Sequence, residues 1–176
     1  MIKKKVHGCF IRERVLLEKC SGASLLFHKH GYGGKLEDKS IQLSLYEALY
    51  LLEKNKISIK DGRKKLNLDT LREKGTDLEP KFWIKYCVFK DMRDRGYTLK
   101  TALKFGADFR VYERGIKPGD DHAKWILYAV HESESLTWHE FAAKNRVAHS
   151  TKKRLTIGIV DDEGDITYYE CKWIKP

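Results

Sequence analysis

The sequence predicts an α+β fold in two units: a small N-terminal mixed α/β domain over residues 1–79, then a C-terminal domain over 80–176 with a central mixed β-sheet flanked by helices. Three observations carry this reading. Two capping boxes, Ser44-Leu45-Tyr46-Glu47 and Thr137-Trp138-His139-Glu140, open helical stretches in different halves of the chain. Short apolar runs bounded by turn residues recur around them, which is strand patterning. Between the halves, Gly75 to Pro80 interrupts the pattern, and Pro80 suits the first turn of a new helix.

In chain order, residues 8–40 read as short strands and turns. Val15-Leu16-Leu17 and Leu25-Leu26-Phe27 are apolar runs separated by Ser21-Gly22, and Gly31-Tyr32-Gly33-Gly34 is a loop. After the first capping box, Leu45, Ala48, Leu49 and Leu52 recur at helical spacing, so Ser44 to about Glu53 is an amphipathic helix. Ile57-Ser58-Ile59 alternates as a short strand, and Asp69 to Lys74 is a short helix. From Pro80 to Arg95 a helix carries Trp83, Tyr86, Cys87 and Lys90 on one side, and Gly96 stops it. Strands follow at Tyr97–Leu99, Phe105–Tyr112 and Lys124–Val130. The second capping box opens a helix through about Lys144. A terminal hairpin runs from Leu155–Val160 through Asp162-Glu163-Gly164-Asp165 into Ile166–Ile174.

Composition narrows the function. At 176 residues and 41% hydrophobic the chain can bury a core, and 35 Lys+Arg against 25 Asp+Glu give a net charge of +10. That balance points to an anionic partner, nucleic acid first. The charge is distributed: residues 1–80 hold 17 basic and 11 acidic side chains, residues 81–176 hold 18 and 14. Any nucleic-acid surface is therefore made by folding or assembly, not by a basic tail. The longest apolar run, Trp125 to Val130, is far short of the ~18 residues of a membrane span. Lys3-Lys4-Lys5 leads into polar sequence rather than a signal peptide, so the chain reads as cytoplasmic. Cys9, Cys20, Cys87 and Cys171 have no CxxC spacing, which argues against a zinc ribbon or a disulfide framework. His28 and His30 form an HxH pair with no third ligand in view, so neither a metal nor another cofactor is expected.

The distinctive chemistry lies between Lys104 and Lys153. Tyr112 ends a strand, His122 sits in a loop, and Lys153 begins a strand, so all three are at element edges. A Tyr/His/Lys set without clustered carboxylates suits RNA cleavage. RNA carries its own nucleophile, the 2′-OH, and needs a base for that proton, an acid for the departing 5′-oxygen and a cation for the charged phosphorane. Histidine titrates near neutral pH, and lysine supplies a point charge. A tyrosine serves as base only where its surroundings lower its pKa, and a neighbouring lysine acts in that direction.

In this order and spacing, Tyr112-Glu113-Arg114-Gly115, His122, Arg146-Val147-Ala148-His149-Ser150, Lys153, Asp161–Asp165 and Tyr168-Tyr169 make the chain resemble the archaeal tRNA splicing endonucleases (tRNA-intron lyases). The likeness extends to Gly31-Tyr32-Gly33 and Ser44–Tyr50 in the first half. It implies a nuclease-like C-terminal domain with Tyr112 as general base, His122 as general acid and Lys153 as stabiliser of the transition-state charge. It implies cuts at both exon–intron junctions of precursor tRNA, in a bulge–helix–bulge motif, leaving 2′,3′-cyclic phosphate and 5′-hydroxyl ends. Arg146 would clamp a flipped-out bulge base through its guanidinium. The acidic residues Asp161, Asp162, Glu163 and Asp165 would dock on a partner subunit, and Tyr168 to Trp173 would form a dimerisation strand. Two cuts in one RNA need two active sites at fixed separation, and the single-length form with triad and acidic loop together fits a homotetramer.

Rival readings stand beside these. The chain could be a non-catalytic RNA-binding or scaffold subunit of the same complex, a metal-dependent DNA nuclease, or a general basic binding module. Lys152 competes with Lys153, although strand alternation would point the two to opposite faces. Asp108 near Lys153 would suit a metal-dependent nuclease. His149 is expected to serve as a structural hydrogen-bonding residue.

Overall fold

The computed structural model describes residues 5–102 and 106–174. The chain divides into two compact units, Met1–Trp83 and Ile84–Pro176.

The first unit is a six-stranded sheet in the order β3-β4-β2-β1-β5-β6 with three helices among the described residues. Its strands are β1 Val6–Ile11, β2 Arg14–Leu17, β3 Gly34–Lys35, β4 Ile41–Leu43, β5 Ile57–Asp61 and β6 Lys64–Leu66; its helices are α1 Ser21–His30, α2 Leu45–Glu53 and α3 Leu68–Leu78. Of these strands only β1 and β5 pair in parallel. Val15, Leu17, Leu26, Leu43, Ile57, Ile59, Leu66 and Leu71 fill the core. The Ser44 capping box forms as predicted, and Glu47 does more than cap. Its buried carboxylate also accepts the Gly33 N–H at 2.9 Å, tying the glycine loop to the start of α2.

Two expectations for this unit are corrected. Leu25-Leu26-Phe27 is part of helix α1, not a strand. Cys20 caps that helix through its thiol, which accepts the Ala23 N–H at 3.4 Å, and Gly31 ends it in the left-handed region at φ 67°. The helix expected from Asp69 to Lys74 runs on to Leu78 and takes in Gly75. That glycine is buried inside α3, where an added Cβ would lie 2.4 Å from the Phe82 ring. That ring also stacks on Tyr46 at 4.9 Å.

The second unit is a five-stranded sheet in the order β11-β10-β9-β8-β7, with α5 Trp138–Ser150 and all but the first two residues of α4 Phe82–Asp94, whose Phe82 and Trp83 belong to the first unit. Its strands are β7 Thr98–Ala102, β8 Ala107–Tyr112, β9 Trp125–His131, β10 Arg154–Val160 and β11 Ile166–Cys171. Every pairing is antiparallel except β9 with β10, which α5 connects as a crossover. Ala102, Ala107, Ile126, Tyr128, Ala148, Leu155 and Ile157 form a core on one face, and Phe89 of α4 packs on Phe109 with centroids 5.7 Å apart. The predicted helix at Thr137 begins where expected but continues to Ser150, so Arg146 to Ser150 is its last turn. The last strand stops at Cys171, which leaves Trp173 outside it. The first residue of the expected Phe105–Tyr112 strand lies outside the described residues.

Candidate active site

Register brings the predicted residues to one end of the second sheet. Strand β8 runs towards that end and stops at Tyr112; β9 and β10 both begin there. Val111 is opposite Trp125, and Trp125 is opposite Arg154. Backbone bonds continue the row outward, Lys124 N–H to Val111 C=O at 2.9 Å and Arg154 N–H to Lys124 C=O at 3.0 Å. Strands lie ~4.8 Å apart, so Tyr112 and Lys153 belong to segments two strands, or roughly 10 Å, apart. Arg110, Ile126 and Leu155 are register partners on one face. Tyr112 is two residues beyond Arg110, so the pleat returns it to that face, and Lys153 lies immediately before β10 begins.

Lys153 owes its position to the end of α5. Its N–H donates to Ala148 C=O at 2.8 Å, and the Lys152 N–H donates to His149 C=O at 3.0 Å. This is a Schellman closure with Lys152 in the left-handed position at φ 53°. The two lysines are therefore distinguished by the helix terminator, not by strand alternation as the sequence suggested. The Lys153 ammonium donates to Thr151 C=O at 2.9 Å, which holds it at the negative end of the α5 dipole.

His122 is carried by the loop from 113 to 124. Two turns shape it, Ile116 N–H to Glu113 C=O and Asp120 N–H to Lys117 C=O, both 3.0 Å, with Gly115 and Gly119 at φ 81° and 102°. Buried Ala123 and an ion pair between Glu113 and Lys124 pin the base of the loop. His122 is exposed, and its backbone N–H donates to Asp121 Oδ1 at 2.6 Å. Among the described residues its ring has no hydrogen-bond partner. Tyr112 is buried at the strand end, opposite Thr98.

The remaining predicted residues fall elsewhere. Arg146 is exposed in the last turn of α5, without an ion-pair partner among the described residues. Asp161 accepts the Asp165 N–H at 2.8 Å and closes the hairpin tip, while Asp162 lies 3.1 Å from His131. Glu163 and Asp165 are exposed. Tyr168 turns onto its own unit: it covers Gly158, donates to Asp91 Oδ2 at 2.8 Å, and has the Arg95 guanidinium above its ring at 5.9 Å. Burial and that carboxylate push its pKa well above the ordinary tyrosine value. Trp173 is 61% exposed and meets His149 edge-on at 4.5 Å; among the described residues the His149 ring makes this aromatic contact and not the expected hydrogen bond.

Asp108 is not near Lys153. It lies four residues back along β8, roughly 14 Å from the site end. It pairs with Lys85 at 2.7 Å and accepts the Ala129 N–H at 2.8 Å. Among the described residues no three His, Cys, Asp or Glu side chains are grouped to hold a metal ion.

Sequence reasoning missed the clasp between Glu113 and Lys124. The signal was available as opposite charges at the two ends of a twelve-residue loop. It also missed Arg114 above the Tyr97 ring at 5.0 Å, and Glu170, which takes the Trp125 indole N–H at 2.8 Å and pairs with Arg154 at 3.3 Å. Those bonds hold the Glu170 carboxyl below its usual pKa, the indole contribution first.

Comparison with known proteins gives a consistent result across both units. Residues 6–72 match the model for the tRNA intron endonuclease N-terminal domain, and residues 82–168 match that for the tRNA intron endonuclease catalytic C-terminal domain. Among curated relatives, the tRNA-splicing endonuclease of Thermococcus kodakarensis is 40% identical over 163 residues, 93% of this chain and 95% of that protein. The one from Nanoarchaeum equitans is 44% identical over 151 residues, 82% of this chain and 97% of that protein. The one from Methanothermobacter thermautotrophicus is 38% identical over 176 residues, 98% of this chain and 99% of that protein.

Proposed function

The chain belongs to the tRNA intron endonuclease family, and from that premise we propose that it excises introns from precursor tRNA by cutting both splice sites within a bulge–helix–bulge motif. What supports the chemistry is the shared sheet end, where β8 stops at Tyr112, Lys153 immediately precedes β10 and the His122 loop joins β8 to β9. Tyr112 takes the proton of the 2′-OH beside the scissile phosphate. The 2′-oxygen attacks phosphorus, and Lys153 faces the extra negative charge of the phosphorane. The bond to the 5′-oxygen breaks as His122 protonates it. The products are a 2′,3′-cyclic phosphate and a 5′-hydroxyl, with no net proton gained or lost. The nucleophile belongs to the RNA, so the mechanism asks for neither metal nor cofactor.

Arg146, exposed on the last turn of α5, holds an unstacked bulge base by stacking. The acidic tip with Asp161, Asp162, Glu163 and Asp165, the edge strand β11 with Tyr168, and Trp173 just beyond that strand build a homotetramer that fixes two sites at the separation of two cuts. The enzyme works in the cytoplasm on this reading.

The test is to incubate the purified protein alone with a bulge–helix–bulge RNA in excess EDTA and to identify the new ends. Two cuts leaving cyclic phosphate support the reading. Rescue only by Mg²⁺ overturns the mechanism, and cleavage only after a second subunit is added overturns the homotetramer. His122→Ala and Lys153→Ala should abolish cutting with RNA binding retained within a few fold; equal loss of both would remove them from the catalytic role.

A further inference from the structure

The β5–β6 hairpin of the first unit carries a charge arrangement that the cleavage chemistry does not use. Its sequence, Lys60-Asp61-Gly62-Arg63-Lys64-Lys65, holds four cations and one carboxylate. Strand β6 is the outer strand of its sheet, so the hairpin forms an edge. Lys60 and Lys65 are register partners, directly opposite each other across the ladder. Like charges so placed repel, and a hairpin selected for stability alone would avoid them.

The local acid does not relieve this. Asp61 pairs with Lys74 of α3 at 2.9 Å. Lys60, Arg63, Lys64 and Lys65 are exposed, and among the described residues none has an ion-pair partner. The partner that relieves such a repulsion is a polyanion. RNA supplies one as its phosphate backbone, and neutralised phosphates release counterions into solution.

We propose that this hairpin is a second RNA-binding surface, one that grips backbone phosphates of the precursor tRNA outside the splice junctions. The inference rests on the proposed RNA substrate but not on the cleavage chemistry. Phosphate contacts of this kind position an RNA without reading its sequence. They add affinity for a whole precursor and add nothing for a short RNA that contains only the junctions.

The competing explanation is protective, since lysines on an edge strand discourage edge-to-edge aggregation. Charge reversal separates the two. Lys60→Glu with Lys64→Glu keeps the edge charged, and Glu at 60 gains an opposite charge across the ladder at Lys65. Binding of the double variant and the wild type would be measured against a full-length precursor tRNA and a minimal junction RNA, over a salt series. Lys35→Glu with Lys39→Glu, which changes net charge equally on residues outside the hairpin, is the control.

The hairpin variant should lose on the order of tenfold in affinity for the full-length RNA near physiological salt. Its log–log salt slope should flatten by about 0.9 for each phosphate that the variant no longer neutralises. Binding and cutting of the minimal RNA should be unchanged. Unaltered full-length affinity and slope would overturn the proposal and leave edge protection as the hairpin's role. An equal loss in the control, or an equal loss on the minimal RNA, would overturn it too. Lys60→Gln with Lys65→Gln tests the same point without new charges. Binding reads this inference and cleavage reads the proposed function, so the two fail separately.

Discussion

Replacing Lys152 by glycine tests how the candidate site is held. Lys152 has φ 53°, which costs a non-glycine residue about 1–2 kcal/mol relative to glycine. Glycine gives part of that back by loosening the unfolded chain, so a net gain of about 0.5–1 kcal/mol remains. Both hydrogen bonds of the Schellman closure come from backbone N–H groups and survive the change. For a chain of this size the gain corresponds to about 1–4 °C in Tm. Denaturation followed by circular dichroism measures it, with cleavage assayed on the same preparations. Stability should rise while the cleavage rate stays within about twofold of wild type. A stable variant that no longer cuts would assign the working cation to Lys152 and refute the Lys153 reading. A variant that loses stability would mean the Lys152 side chain makes an interaction that outweighs its backbone strain.

Other perturbations have definite expectations. Gly75→Ala places a methyl group 2.4 Å from the Phe82 ring and should destabilise the first unit by about 1–3 kcal/mol, read by urea titration. Tyr168→Phe loses the bond to Asp91 and should cost about 0.5–1.5 kcal/mol at neutral pH. Because the folded-state pKa of Tyr168 is raised, its neutral form is favoured by folding. That contribution is complete below the ordinary tyrosine pKa near ~10 and is lost at higher pH, so the variant should show a shallower alkaline fall in stability. Glu113→Gln releases the clasp under the His122 loop; cleavage should drop several-fold with RNA affinity retained, and an unchanged rate would show that the ion pair does not position His122. Reversing Asp162 and Glu163 should shift sedimentation towards smaller assemblies, and an unchanged profile would remove the tip from the interface.

Local signals account for what could be read in the sequence. Both capping boxes are self-contained codes, a hydroxyl followed three residues later by a carboxylate, and both helices begin where they predict. The two strands of the last hairpin were legible because an apolar run and a turn define them without help from distant residues. Helix α1 was hidden because its cap is a thiol and its opening Ser21-Gly22 resembles a turn, although the basic last turn and Gly31 did mark its end. The last turn of α5 was hidden because Phe141, Lys144 and Ala148 mark one face too sparsely among polar residues. The three candidate residues were chosen by type and order. Their meeting at one sheet end depends on β9 and β10 running parallel, a pairing between strands 29 residues apart at their starts, which no local pattern encodes.

That parallel pairing also sets when the site comes into being. The β7–β8–β9 meander and the β10–β11 hairpin are each closed by neighbouring strands, whereas joining them requires the α5 crossover to dock. Pairings between distant segments form late because loop-closure entropy must be offset first. During folding the chain therefore carries its net charge of +10 before it has the sheet edge that Tyr112 and Lys153 flank. Pulse-labelled hydrogen exchange of the Arg154 amide, bonded across to Lys124, should track the first appearance of cleavage. On the proposed function, a half-folded chain would hold RNA without cutting it, a built-in delay between capture and chemistry.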